Sequence, residues 1–271
     1  MAGKTFHNGR GLRLIESHLR INRQLAERSH GQIRTPAAAG YLPDEHMAVF
    51  CWAPGEPVTD RSRRCSEAIL RAIDALAHLH HVWLPELPDF TLADECQIVT
   101  RWYEFLQRVR PVQARRVAAL VEGLAQWSRR IQPGRRCTLH RDFYASQVLA
   151  TRRTITVLDL DTLARGEPGV DLGNFIAHWY FDTLSGKDDS ATFADLLESA
   201  AQRYEAGGGS IDRQVLGFCC ASALFRIGAV HCLRTATGRY TEPLWDQARE
   251  VMAQGGGGEA SPARSLNVDI H

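Results

Sequence analysis

The stretch from Leu139 to Asp161, LHRDFYASQVLATRRTITVLDLD, limits the possible folds more than any other part of the chain. Two short runs, Val148-Leu149-Ala150 and Ile155-Thr156-Val157-Leu158, flank the polar turn Thr151-Arg152-Arg153. Apolar and β-branched residues suit a pleated, half-buried surface, and so short a separation predicts a tight β-hairpin. A hairpin brings its two ends together. It therefore places Gln147, just ahead of the first strand, beside Asp159, just after the second. Asp142, five residues before Gln147, then points into the same small volume.

Two carboxylates and an amide oxygen at one spot suit a hard divalent cation such as magnesium, which prefers oxygen ligands and shares them with phosphates. A further carboxylate nearby is placed to accept the proton of an attacking hydroxyl. Kinase phosphoryl transfer divides its labour in this way. The compound spacing His140-x-Asp142, Gln147, Asp159-x-Asp161 is far more specific than any single aspartate.

These residues resemble the aminoglycoside phosphotransferase and choline-kinase-like group of small-molecule kinases. The segment from Asp159, DLDTLARGEPGVD followed by Leu172-Gly173, is similar to the metal-binding segment of that family running into its G-D-P-x-x-D-L stretch. The resemblance implies an α+β, protein-kinase-like fold of two lobes, with ATP or GTP as donor, magnesium, and a small-molecule hydroxyl as acceptor. By it, Asp142 accepts the hydroxyl proton, Gln147 and Asp159 hold magnesium, and Asp161 is a further ligand or supports one. His140 is expected to pack beneath the loop rather than act as a base. Three positions depart from the family: Arg141 where glycine is usual, Gln147 where asparagine is, and Glu167 where aspartate is. The Asp-Phe-Gly and Ala-Pro-Glu signatures of protein kinases are absent.

Residues 2–6 read as the end of a strand, His7-Asn8-Gly9-Arg10-Gly11 as a turn, and Leu12, Ile15, Leu19, Ile21 and Leu25 as a helix ending near Ser29-His30-Gly31. In a kinase-like small lobe a strand lysine meets the nucleotide phosphates and a glutamate on the next helix braces it, so Lys4 and Glu16 fit in order. Only Lys4 and Lys187 among 32 basic residues are lysines, which suggests that a compact ammonium is wanted at position 4. Thr35-Pro36 and Gly40 to Pro43 are expected to flank a loop, and Met47 to Trp52 to form a strand stopped at Pro54-Gly55. By the resemblance this is the hinge, where the backbones of Cys51, Trp52 and Ala53 hold the base. Three residues precede Lys4, where such a lobe would carry two strands and a phosphate-covering loop. The expectation is an N-terminally truncated small lobe (1–53), a mainly helical catalytic lobe (54–253) and a flexible tail (254–271). The missing loop keeps an alternative open, a catalytically inactive kinase-like protein with a regulatory or binding role.

Helices are predicted over 60–81 (with Asp60 as cap), 92–109, 112–131 after a break at Pro111, 172–181 with Asp171 as cap, 190–206, 211–235 and 241–253. His78, His80 and His81 fall at a helix C-terminus, where the dipole favours them without a metal. Asp182, Asp188, Asp189 and Glu198 suit either an acceptor pocket for a cationic substrate or a solvated acidic loop. Hydrophobic content of 44% and charged content of 23% are those of a globular chain. A formal net charge of +1 with scattered arginine pairs argues against nucleic acid. Seven cysteines without C-x-x-C spacing, and an N-terminus lacking an apolar signal region, point to reduced thiols in the cytoplasm with no membrane span. Oligomeric state is not legible.

Overall fold

The computed structural model describes residues 2–5, 10–58, 64–132, 134–186, 192–234 and 238–255. The expected turn at His7-Asn8-Gly9, the Asp60 cap, Asp188, Asp189 and the tail after Gly255 lie outside the described residues. β1 (Ala2–Thr5) and β3 (Ala38–Leu42) both pair antiparallel with a central β4 (Met47–Phe50), which sets Lys4 opposite Ala48. α1 (Arg10–Ser29) lies on this sheet and buries Leu14, Ile15, His18, Ile21 and Leu25. Leu12 and Leu19, counted in the expected stripe, are 49% and 56% exposed. At helical spacing they are turned well away from His18 and Leu25, whose side faces the sheet.

The loop expected between Pro36 and Gly40 is instead the start of β3, which runs on through Leu42. Alanine and glycine are poor strand formers, and the pairing with β4 shifts register between Ala38 and Gly40. The strand therefore exists through its partner rather than through local propensity.

A second sheet joins the two parts of the chain. β2 (Ile33–Arg34) runs parallel to β8 (Ile155–Val157), β8 pairs antiparallel with β7 (Val148–Ala150), and β5 (Glu56–Pro57) forms the far edge. The β7–β8 register, Val148 opposite Val157 and Ala150 opposite Ile155, is the predicted hairpin. Its turn is closed by the Thr151 amide donating to the Thr154 carbonyl at 2.9 Å. A third pair, β6 (Cys137–Leu139) with β9 (Ala164–Gly166), frames the loop between them.

The remainder is helical: α2 (Arg64–His80), α3 (Leu92–Val109), α4 (Pro111–Arg130), α5 (Gly169–Leu184), α6 (Phe193–Ala206), α7 (Arg213–Arg234) and α8 (Thr241–Gly255). A capping box between Thr91 and Asp94 starts α3, and Pro111 opens α4, where a missing amide hydrogen costs nothing. α7 is long and apolar enough to cross a membrane by length and composition, but 78% of its apolar window is buried against its neighbours. It packs on α5, α8 and α3 and is the core of this region.

Candidate active site

β6 is fully buried and delivers His140-Arg141-Asp142 into the space beneath the hairpin. The loop is fixed by its backbone. Asp171, wholly buried, accepts the amide of His140 at 2.7 Å through Oδ2 and that of Arg141 at 2.6 Å through Oδ1. His80 Nε2 stands 3.0 Å from the same Oδ2, and His80 Nδ1 2.7 Å from the Tyr204 hydroxyl. Asp171 is therefore not the helix cap expected from the sequence. α5 begins two residues earlier at Gly169, with Pro168 in helical conformation ahead of it. The carboxylate turns inward and holds the loop after β6, and His80, in the last turn of α2 as expected, is also a buried strut between that carboxylate and Tyr204.

His140 packs under the loop as expected. Its Nε2 donates to the Leu158 carbonyl at 2.6 Å, and its Nδ1 faces the Asp142 amide at 3.3 Å. Arg141, in the usual glycine position, has φ of 70°, the left-handed region where side chains are disfavoured. Its guanidinium lies 4.1 Å from the centre of the Phe90 ring, a cation–π contact that offsets part of that cost.

The two ends of the hairpin meet. The Leu158 amide donates to the Gln147 carbonyl at 2.8 Å, so the residue next to Asp159 is bonded to Gln147. Gln147 itself ends a short 3-10 turn, Ala145–Gln147, and its side-chain amide faces the Tyr144 hydroxyl at 3.5 Å. Asp159 adopts φ of 55°, a conformation that aspartate tolerates better than most residues. Its Oδ1 and the Oδ2 of Asp161 each lie 2.5 Å from Lys4 Nζ. One ammonium thus spans both carboxylates and ties β1 to the end of the hairpin.

Desolvation is the largest influence on Lys4 and pulls its pKa down, but the two carboxylates together outweigh it and hold the ammonium above its ordinary value. Asp142 is pushed up, first by desolvation and also by the charge of Asp159, while His140 and Arg226 pull it down. Tyr144 rises through desolvation, then the Asp142 charge. Asp142 and Tyr144 both feel the charge of Asp159, which puts the three in one neighbourhood. His18, buried on α1 against Phe50 at 4.6 Å between ring centres, falls to about 4 through desolvation and stays neutral.

Glu16 does not brace Lys4: it is exposed, and the partners of Lys4 are Asp159 and Asp161. At the expected hinge, β4 ends at Phe50 and the Cys51 amide is already donated to the Ala37 carbonyl at 2.8 Å, while Trp52 is 80% exposed. Glu198 is exposed on α6 beside Arg213 and Gln202. Among the described residues no three or more His, Cys, Asp or Glu side chains converge as a metal site, so the candidate set remains two carboxylates with an amide. Asp171, read from the sequence as a cap, and Asn174, whose side-chain amide donates to the Phe143 carbonyl at 3.0 Å, are the loop-holding positions that pattern reading did not find. Their signal is two polar side chains in an otherwise apolar helical stretch, GVDLGNFIA.

The family model described as phosphotransferase enzyme family matches residues 4–216. No curated protein shows significant similarity to the sequence. A thermostable mutant of aminoglycoside phosphotransferase APH(4)-Ia has a similar structure, with TM-score 0.60 and 15% identity over 94% of this chain and 87% of that one. A putative aminoglycoside phosphotransferase from Ralstonia eutropha aligns with TM-score 0.58 and 16% identity over 88% and 84%. A choline kinase from Cryptosporidium parvum aligns with TM-score 0.58 and 10% identity over 88% and 78%. These likenesses establish the α+β, protein-kinase-like fold.

Proposed function

The chain belongs to the phosphotransferase enzyme family, and from that premise we propose that it moves the terminal phosphoryl group of ATP or GTP to a hydroxyl of a small molecule at Asp142. That it is a small-molecule phosphotransferase follows from the family; the donor, the metal and the residue roles are our reading. The acceptor oxygen forms a bond to the γ-phosphorus, the bond from that phosphorus to the nucleoside diphosphate oxygen breaks, and the hydroxyl proton passes to Asp142. Asp171 and His140 hold the Asp142 backbone in place, so the reacting group is positioned before substrate arrives.

Asp159, Asp161 and the Gln147 amide form the oxygen set that would hold magnesium. The observation carrying this reading is the Lys4 ammonium, 2.5 Å from both carboxylates, a stand-in cation where the metal is expected. Bound magnesium supplies positive charge against the phosphate oxygens. Lys4 adds charge from β1, and the hinge contributes backbone from Trp52 and Ala53 and the Cys51 carbonyl, since the Cys51 amide is already engaged. Buried, unpaired Cys219, Cys220 and Cys232 fit a reducing compartment such as the cytoplasm.

The test is ADP or GDP release with magnesium over a panel of aminoglycosides, macrolides, choline-like amines and sugars. We expect one acceptor to stimulate release, and Asp142→Ala to abolish the stimulation. Undiminished release by that variant would sink the assignment.

A further inference from the structure

Behind the catalytic loop runs a buried polar chain that the transfer step does not use. Glu95, in the first turn of α3, is 3% exposed. Its Oε1 accepts from the Ser222 hydroxyl at 2.5 Å and lies 3.1 Å from Nε of Arg226 on α7. That Nε has no aligned hydrogen bond, so the pair is held by charge rather than by direction. From its other end Arg226 donates through Nη2 to Asn174 Oδ1 at 3.2 Å. Asn174, on α5, donates in turn to the Phe143 carbonyl at 3.0 Å. Phe143 directly follows Asp142.

The energetics argue against a purely stabilising role. Taking a carboxylate and a guanidinium out of water costs more than their attraction commonly returns, and an apolar pair of similar volume often serves stability as well. The surroundings are already apolar: Leu92, Val99, Phe175, Ala223 and Leu224 are all buried nearby in chain terms on the same helices. A polar chain kept at that cost, ending on the peptide after the proposed proton acceptor, is placed to control geometry.

We propose that Arg226 is a positioning residue for phosphoryl transfer. Held by Glu95, it orients Asn174, which pins the Phe143 carbonyl and so fixes where the Asp142 carboxylate points. This rests on the reading of Asp142 as proton acceptor. The charge of Arg226 also reaches Asp142 and draws its pKa down against desolvation.

The experiment measures kcat, nucleotide KM and melting temperature for the full chain and four variants. Asn174→Leu and Arg226→Met are each expected to lower kcat by about a hundred-fold, the scale of a small misplacement of a reacting group, with nucleotide KM nearly unchanged. Arg226→Lys should recover part of the loss, because a single ammonium reaches Glu95 or Asn174 but does not span both as a fork does. Arg226→Met also strands a buried carboxylate and will lose stability. The double variant Glu95→Met with Arg226→Met removes both charges and regains stability, yet kcat should stay low because Asn174 is no longer oriented. A folded double variant, or Asn174→Leu, with kcat within about threefold of the parent would overturn the proposal while leaving the functional reading intact. A parent chain with no turnover on any acceptor overturns both.

Discussion

Replacing Asp171 by asparagine tests the anchor of the His140–Asp142 loop directly. The carboxylate takes three donors: the His140 amide at 2.7 Å, the Arg141 amide at 2.6 Å and His80 Nε2 at 3.0 Å. Asparagine keeps the shape but only one accepting oxygen. Its best orientation keeps that oxygen at Oδ2, for His140 and His80, and turns an NH2 group toward the Arg141 amide. One charge-assisted bond is lost, and a buried donor then faces another donor, for a combined cost of about 2–4 kcal/mol. Against a total stability on the order of 10 kcal/mol this is a large fraction. Urea unfolding should register it. Hydrogen exchange locates it, because about 2 kcal/mol of easier local opening speeds exchange of the Arg141 amide by roughly thirty-fold. Turnover should fall with it, since Asp142 follows that peptide. Unchanged exchange at Arg141 together with an unchanged urea midpoint would show that Asp171 does not hold the loop, and the account of how Asp142 is positioned would go with it.

Other outcomes follow from the same geometry. Asp142→Asn should be slightly more stable than the parent at neutral pH without nucleotide, because burial raises this carboxyl's folded pKa and so penalises its charged form. That advantage should fade as pH falls through the raised folded pKa toward the ordinary 3.8, where the parent is protonated too, and melting curves across that range read the sign. Lys4→Met should tighten manganese binding measured by electron paramagnetic resonance without nucleotide, because it removes the ammonium that spans Asp159 and Asp161. Its effect on stability should stay below about 1 kcal/mol, since these are solvent-accessible pairs; weaker manganese binding would refute the shared site. Trp52, 80% exposed and two residues beyond β4, should report nucleotide docking by fluorescence. Trp52→Phe should delete that change while leaving affinity within about threefold, and a signal that survives the substitution would place the base elsewhere.

What the sequence revealed and what it hid divide along the range of the interaction. The hairpin was legible because its two strands are neighbours in the chain, their β-branched residues favour extended backbone, and the turn between them is polar; the register follows with no outside help. The helices from α2 onward were legible for the same local reason, and a proline or a capping residue marks several of their starts. β3 was not, because Ala38, Ala39 and Gly40 have no preference for a strand until β4 supplies a partner. Asp171 was misread because a carboxylate at a helix start has two uses, capping its own helix or reaching across the fold. Only the placement of the loop that follows β6, with Arg141 30 residues upstream, decides between them. Lys4 and Glu16 show the limit most plainly: order along the chain suggested a lysine–glutamate pair, yet the lysine meets two carboxylates 155 and 157 residues away. Spacing can nominate charged residues for a site, but which charges face one another depends on where the sheet of β1, β4 and β3 sits relative to the end of the hairpin, and that is a property of the whole fold rather than of the pattern around either residue.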